Sequence, residues 1–264
     1  MSEESKQESV THRFSQADSK PLIESVLHQE IGQRLLARLE LIKLSPNKVL
    51  DLGCGDGLHA RALQQHYPAA LLFAVDRLWS QALQASGRKL SWRKRLTSLV
   101  ADARQQPLPD QSIDLIFSNL MLHWLDQPLA VVKEISRILA PGGLVMFSCY
   151  GPDTLVELRQ TGIDFPEFVD MHDLGDDLVA SGLGDPVMEM EKLTLKYTSS
   201  EKLLFDLVVT GLILPEQQAA FIASQVVEGQ NEFNLSIEVV YGHAWKPEKS
   251  GDSGSFKGIE IKPA

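Results

Sequence analysis

Cysteine is almost missing from this chain. Cys54 and Cys149 are the two it has in 264 residues, and they stand far apart in apolar or glycine-rich surroundings. That pattern excludes a disulfide framework, suggests no metal cluster, and fits a reducing cytoplasm. Positive charge is scarce as well. Lys and Arg number 25 against 35 Asp and Glu, a net charge of -10. Such a balance works against non-specific binding to nucleic acid or to an anionic membrane. The densest basic cluster is "GRKLSWRKR", Gly87 to Arg95. It reads as a solvated helix end and loop, or as a local dock for an acidic partner. Long apolar runs are absent too, since none approaches the roughly 20 residues of a membrane helix. The opening "MSEESKQESV" is polar and acidic, so neither a signal peptide nor a transit peptide is expected.

What is present is an ordinary soluble composition, 44% apolar and 23% charged. A chain of this length buries roughly 70–75% of its unfolded surface, so a full core is expected. Residues 1 to 20 are polar without apolar period and read as disordered. From Leu22 to Leu41 the apolar residues recur at helical spacing. Short apolar strands then alternate with amphipathic helices. "KVLDLG", "ALLFAVD", "LTSLVAD", "SIDLIFSNL" and "LVMFSCY" read as strands; "LHARALQQHYP", "WSQALQASG" and "QPLAVVKEISRILAPGG" read as helices, the last closed by its Pro-Gly-Gly. This alternation predicts a parallel sheet covered by helices on both faces. After Gly151, "PDTLVELRQ" and "DLGDDLVASGL" read as helices and "VMEMEKLTLKY" as a strand. "EKLLFDLVVTGLI" and "PEQQAAFIASQVV" read as two cap helices, and "LSIEVVYGHAW" as a last strand. Two late strands joined through helices predict an antiparallel edge. On the last of them Tyr241, His243 and Trp245 share a face, as sheet packing would have it. The tail from 248 to 264 is rich in Lys, Gly, Ser and Pro and reads as mobile.

The chemistry gathers at "VLDLGCGDG", Val49 to Gly57. Gly53, Gly55 and Gly57 follow a buried strand and open a helix, the context in which a ligand sits at a strand's carboxyl end. A dinucleotide turn needs G-x-G-x-x-G and a pyrophosphate at the helix start. Here position 58 is Leu, and Asp51 and Asp56 flank the turn. Two carboxylates repel a pyrophosphate and suit a cation. Asp76 ends the second strand, where an acid accepts ribose hydroxyls. Asp102 ends the third, where an acid can accept an exocyclic adenine amine. The ligand so described has a ribose, an amine-bearing base, a positive charge and no phosphate. S-adenosylmethionine fits on all four counts.

At these residues the chain resembles the class I S-adenosylmethionine-dependent methyltransferases. "VLDLGCGDG", "FAVD" and "ADARQQPLPDQSIDLIFSNLMLHWLDQP" look like their successive motifs. The resemblance implies a Rossmann-like α/β fold: a mostly parallel seven-stranded sheet, helices on both faces, and a helical cap before the last strand. It implies one methyltransferase domain over about residues 21–247, with cap helices near 200–228. It also adds Arg77, Ala103 and Asn119 to the cofactor-binding set of Asp51, the three glycines, Asp76 and Asp102. "SNLMLHWLD", "FSCYGPDTLVELR", "FVDMHDLGDDLVASGLGDPVMEMEKLTLKY" and "EVVYGHAWKP" narrow the likeness to the BioC family, the malonyl-[acyl-carrier protein] O-methyltransferases of biotin synthesis. A related branch, the mitochondrial complex I assembly factors, shares "MHDL" and is linked to arginine hydroxylation. Two departures stand out. Pro21 occupies the place of an expected Tyr near the cofactor, and "DFPEF" lacks an Arg expected before "FVDMHD".

The activity so implied is an in-line displacement by a carboxylate, which needs no general base. Positioning and desolvation would carry it. The helices from Ser200 to Val227 and the N-terminal helix are the expected lid. A malonyl group's negative charge needs a cation or donor to orient it, and Arg159 is the first candidate because Arg grips a carboxylate bidentately. His172 in "DMHD" is a second donor, otherwise a helix-start residue. Trp124 is expected as a wall of the site, beside His123. The two cysteines are expected as small apolar residues. The partner implied is acyl-carrier protein bearing malonyl, itself acidic, so the basic cluster or the Lys-bearing tail would have to dock it. A small-molecule methyltransferase of the quinone type, or a cofactor-binding assembly factor without methyl transfer, are the alternatives. Oligomeric state has no signature in the sequence.

Overall fold

A computed structural model describes residues 24–78, 96–125, 128–159, 168–213, 217 and 232–248. In chain order these form α1 (Val26–Glu40), β1 (Lys48–Leu52), α2 (Leu58–His66), β2 (Leu71–Asp76), β3 (Leu96–Val100) and β4 (Ile113–Asn119). A 3-10 turn (Leu122–Trp124), α3 (Pro128–Ile138) and β5 (Leu139–Tyr150) follow. The remainder is a 3-10 turn (Val156–Leu158), α4 (Met171–Ala180), β6 (Gly184–Tyr197), α5 (Ser200–Val209) and β7 (Phe233–Trp245).

The seven strands make one sheet in the order β3-β2-β1-β4-β5-β7-β6. β1 to β5 pair in parallel, and β7 runs antiparallel to both β5 and β6. The order reverses at β1, which lies between β2 and β4. A crevice therefore opens at the carboxyl ends of β1 and β4, the place where open α/β sheets bind ligands.

Strand alternation builds two apolar layers. Val49, Leu115, Phe117, Leu144 and Met146 face one side, against Leu27, Ile31, Leu35 and Leu39 of α1 and Leu203 and Leu207 of α5. Leu50, Leu52, Ile116, Val145 and Phe147 face the other, against Val131, Val132 and Ile135 of α3 and Leu174 and Leu178 of α4. Each fully buried Leu or Ile contributes roughly 1.5–3 kcal/mol. α1 starts later than the expected Leu22. Ser25 caps it, accepting a bond from the His28 N–H at 3.2 Å. Tyr241 is buried, with the Arg38 guanidinium 3.8 Å above its ring centre. Arg38 also donates to Glu189, and Arg34 to Glu191, fastening α1 to the edge strand β6.

Two sequence expectations fail for tertiary reasons. The Pro-Gly-Gly does not close α3 as a cap. α3 stops at Ile138, and the next residue already belongs to β5. Ile113 pairs with Leu139 and Leu115 with Leu144, so Pro141, Gly142 and Gly143 bulge out of the strand. Gly142, at φ 76°, donates to the Lys246 carbonyl. "PDTLVELRQ" is not a helix over its described part. Leu155 sits at φ 54°, its N–H donates to the Ser236 carbonyl at 2.7 Å, and Thr154 Oγ1 donates to the Glu238 carbonyl at 3.0 Å. Bonds to β7 displace the intrahelical ladder, and one 3-10 turn is left. α4 begins at Met171 with Asp170 as its cap. The predicted helices in "WSQALQASG" and, apart from Gln217, "PEQQAAFIASQVV", the basic cluster, residues 1–20 and the tail beyond Glu248 lie outside the described residues.

Candidate cofactor and acceptor site

The turn after β1 is built by backbone conformation that side chains resist. Gly53, Gly55 and Gly57 adopt φ of 76°, 51° and 79°, the left-handed region open to glycine. At Gly53 a Cβ would also lie 2.4 Å from Cγ of Met121. The N–H groups of Gly53 and Cys54 donate to the Val75 carbonyl at 2.8 and 3.0 Å, so the turn is fastened to β2.

Asp76, at the end of β2, completes the fastening. One carboxylate oxygen accepts from the Gly55 N–H at 3.0 Å and the other from the Leu78 N–H at 2.9 Å. Asp51 lies beneath the turn, 1% exposed, and its Oδ2 has no hydrogen-bond partner. Burial, and then the neighbouring Asp76 charge, push its carboxyl up to about 8 against the pull of the Ala60 N–H. Asp56 is also buried, and its side chain accepts from Leu58 N–H at the start of α2. A cation placed here would relieve mutual repulsion among three acids. A phosphate would add to it.

The remaining expected cofactor residues divide. Asp102 is only partly buried, and Arg104 donates to both its oxygens at 3.0 and 2.7 Å, which lowers its pKa. Any amine that reaches Asp102 therefore meets a carboxylate already paired. Arg104 was not singled out from the sequence; its place two residues on was the available signal. Arg77 is exposed, close enough for its charge to act on Asp102, and Ala103 packs half-buried on the second core layer. Asn119 is buried at the end of β4, and its side chain is engaged within the fold. Its Nδ2 donates to the His28 carbonyl at 3.3 Å and its Oδ1 accepts from Ser148 Oγ at 2.7 Å. It ties α1 to the sheet.

Two buried histidines also escaped the sequence reading. The rings of His28 and His59 lie 5.0 Å apart against the glycine turn's helix, and burial lowers the first to about 4 and the second well below its ordinary value. His28 Nδ1 and His59 Nε2 have no hydrogen-bond partner. Both cysteines are buried thiols with raised pKa values, Cys149 pushed up to about 12, and so are poor nucleophiles.

Beyond β4 the walls turn aromatic. His123 lies 4.7 Å from Trp124, 4.6 Å from Tyr150 and 5.5 Å from Phe168, ring centre to ring centre. Trp124 is 7% exposed and packs against His123 and Phe168.

Residues 50–147 match the family model described as a methyltransferase domain. The malonyl-[acyl-carrier protein] O-methyltransferase of Halorhodospira halophila is 35% identical over 88% of this chain and 87% of its own. That of Gallionella capsiferriformans is 38% identical over 89% of each. This chain belongs to the malonyl-[acyl-carrier protein] O-methyltransferase family. It is an S-adenosylmethionine-dependent methyltransferase. Among solved structures, the YcgJ protein of Bacillus subtilis superposes with a TM-score of 0.63 at 16% identity, over 82% of this chain and 99% of its own. That likeness confirms the Rossmann-like fold.

For this family the cofactor must meet a cation-accepting, phosphate-free cradle. The unpartnered Asp51 oxygen, the turn held open by three positive-φ glycines, and Asp76 fit that requirement. The acceptor candidates differ in exposure and local partners. Trp124 stands in the buried aromatic wall. Arg159 is exposed at the end of the 3-10 turn after β5, not on a helix. His172 is exposed in the first turn of α4. There its N–H and its Nδ1 both meet Asp170 Oδ1, at 2.8 and 2.7 Å, in a helix-cap arrangement. No helix of the described residues is long and apolar enough to cross a membrane.

Proposed function

We propose that this protein transfers the methyl group of S-adenosylmethionine to the free carboxylate of malonyl-[acyl-carrier protein]. The product is the methyl ester that begins pimeloyl assembly for biotin, in the cytoplasm. One observation carries the reading: a buried carboxylate oxygen of Asp51 without a partner beneath a three-glycine turn, in a chain akin to malonyl-[acyl-carrier protein] O-methyltransferases over almost nine-tenths of its length.

When bound, the cofactor supplies an electrophilic methyl on a sulfonium. Asp51 and Asp76 would hold it, Asp51 through charge and Asp76 through the ribose, while the glycine turn lets the backbone approach. Asp102 and Ala103 would flank the base. The chain needs no general base, because the acceptor carboxylate is ionised at neutral pH. Its residues exclude water and orient. Trp124 and Phe168 wall the acceptor side, where loss of solvent sharpens a carboxylate nucleophile. α1 and α5, in contact with each other, would roof the site. Arg159, at the rim, would receive the malonyl group's charge as it enters, and His172 is the second donor there. The carrier is acidic, so "GRKLSWRKR" or the Lys-bearing tail would dock it.

Incorporation of labelled methyl into malonyl-[acyl-carrier protein] tests the reading. Incorporation that depends on the malonyl carboxylate is expected. Cofactor binding without incorporation would instead favour an assembly role, and transfer only to a small-molecule acceptor would favour a quinone-type enzyme.

A further inference from the structure

His123 is 7% exposed and sits in a cage of three rings, yet it is not an apolar residue. Its Nδ1 accepts the backbone N–H of Tyr150 at 3.3 Å. A backbone N–H can only donate, so the geometry sets the tautomer: Nδ1 is the acceptor and Nε2 carries the proton. That Nε2–H is buried and has no hydrogen-bond partner. A buried donor left unmade is costly, and Phe or Leu would fill the same cage without that cost. The cage lies just past the carboxyl end of β4, on the crevice where the sheet order reverses, and Tyr150 closes β5 beside it.

Resting on the carboxyl-methyltransferase reading above, we propose that His123 Nε2–H is the hydrogen-bond donor that orients the malonyl carboxylate, gripping the oxygen that does not attack. The other oxygen is then free to form the bond to the methyl carbon as the sulfur–carbon bond breaks. The sulfur keeps the bonding pair, the carboxylate loses its charge, and no proton moves. A neutral donor suits this reaction. A charged one holds a carboxylate about twice as strongly, and that grip weakens as the charge disappears toward the transition state, which slows transfer. Burial keeps the ring neutral, its pKa lowered to about 3. Trp124 and Phe168 then shape the space around the bound anion. A donor of this kind also discriminates: an acceptor whose carboxylate is already esterified offers Nε2–H only a weaker, neutral carbonyl.

The test compares His123→Phe and His123→Gln with the wild-type enzyme, using malonyl-[acyl-carrier protein] as acceptor. His123→Phe keeps the ring volume and removes the donor. It should lower kcat/KM for the acceptor by about 10- to 100-fold, while S-adenosylhomocysteine affinity stays within about twofold. His123→Gln, whose amide can donate from a similar place, should recover most of the loss. In wild-type enzyme holding S-adenosylhomocysteine, malonyl-pantetheine should shift the His123 Nε2–H resonance, a readout that needs no variant. If wild type transfers methyl and His123→Phe does so equally well, or if the resonance stays put at saturating malonyl-pantetheine, His123 is a packing residue and the proposal fails alone. If wild type binds cofactor and never methylates the malonyl carrier, the underlying reading fails and takes this proposal with it.

Discussion

Replacing Asp51 by Asn should make the free protein more stable while it destroys the cofactor site. Asp51 is 1% exposed, accepts one N–H from Ala60, and leaves Oδ2 without a partner. Its carboxyl titrates at about 8 in the fold, against about 3.9 in an unfolded chain. The folded value is the higher one, so Asp51 favours folding only while protonated. Its contribution is complete below about pH 4 and is lost, at about 1.4 kcal/mol per pH unit, as pH rises to about 8. By pH 7.5 ionising it in the unfolded state has cost the native state on the order of 3–5 kcal/mol. An amide mimics the protonated acid, keeping an acceptor for Ala60 and a polar hydrogen at the orphan position. Denaturant unfolding at pH 5.5, 6.5 and 7.5 should therefore show a gap between the two proteins that widens with pH, the Asp51→Asn variant being the more stable. The buried histidines act with the opposite sign. His28 at about 4 and His123 at about 3 are neutral in the fold and cost stability as pH falls below about 6.5. They are common to both proteins and cancel in the difference. With cofactor added, the order should reverse, because a cation against Asp51 holds it ionised and the amide of the variant offers no charge in return. A pH-independent gap, or a variant that binds cofactor as tightly as wild type, would refute the cation-site reasoning.

Asp76→Ala should weaken cofactor binding by about 100-fold or more by calorimetry, since it removes the charged acceptor for the ribose and frees the Gly55 and Leu78 N–H groups; unchanged affinity would discard the ribose assignment. Gly32→Ala places a Cβ 1.8 Å from Nε2 of His59, an overpacking of about 1–3 kcal/mol that should lower Tm by several degrees. Adding His59→Ala should restore part of that loss, and a neutral Gly32→Ala would contradict the packing of α1 on α2. Arg159→Ala should raise the acceptor KM or lower kcat with cofactor affinity intact, and unaltered turnover would remove Arg159 from the site.

Much of the architecture follows from patterns only a few residues long. The alternation of short apolar strands with amphipathic helices requires a covered parallel sheet, because a strand buried on both faces must be apolar throughout. Three glycines in a strand-to-helix turn, with acids at successive strand ends, describe a cationic nucleoside from the sequence alone. These signals are local: each depends on the residue's own backbone freedom or charge. Bonds between segments distant in the chain are another matter. "PDTLVELRQ" has helical periodicity, yet β7 takes its backbone bonds, and no periodicity records that competition. The Pro-Gly-Gly looks like a helix cap and is a bulge, because β4 and β7 pair on either side of it. Asn119 and Asp102 look like ligand residues by position, and their side chains already hold His28 and Arg104. Composition and spacing alone determined the fold class, the glycine turn and the demand for a positive ligand. Which polar atoms are left without a partner, on Asp51 and His123, was decided only when strands and helices closed around them, since burial and hydrogen bonding are properties of the packed chain.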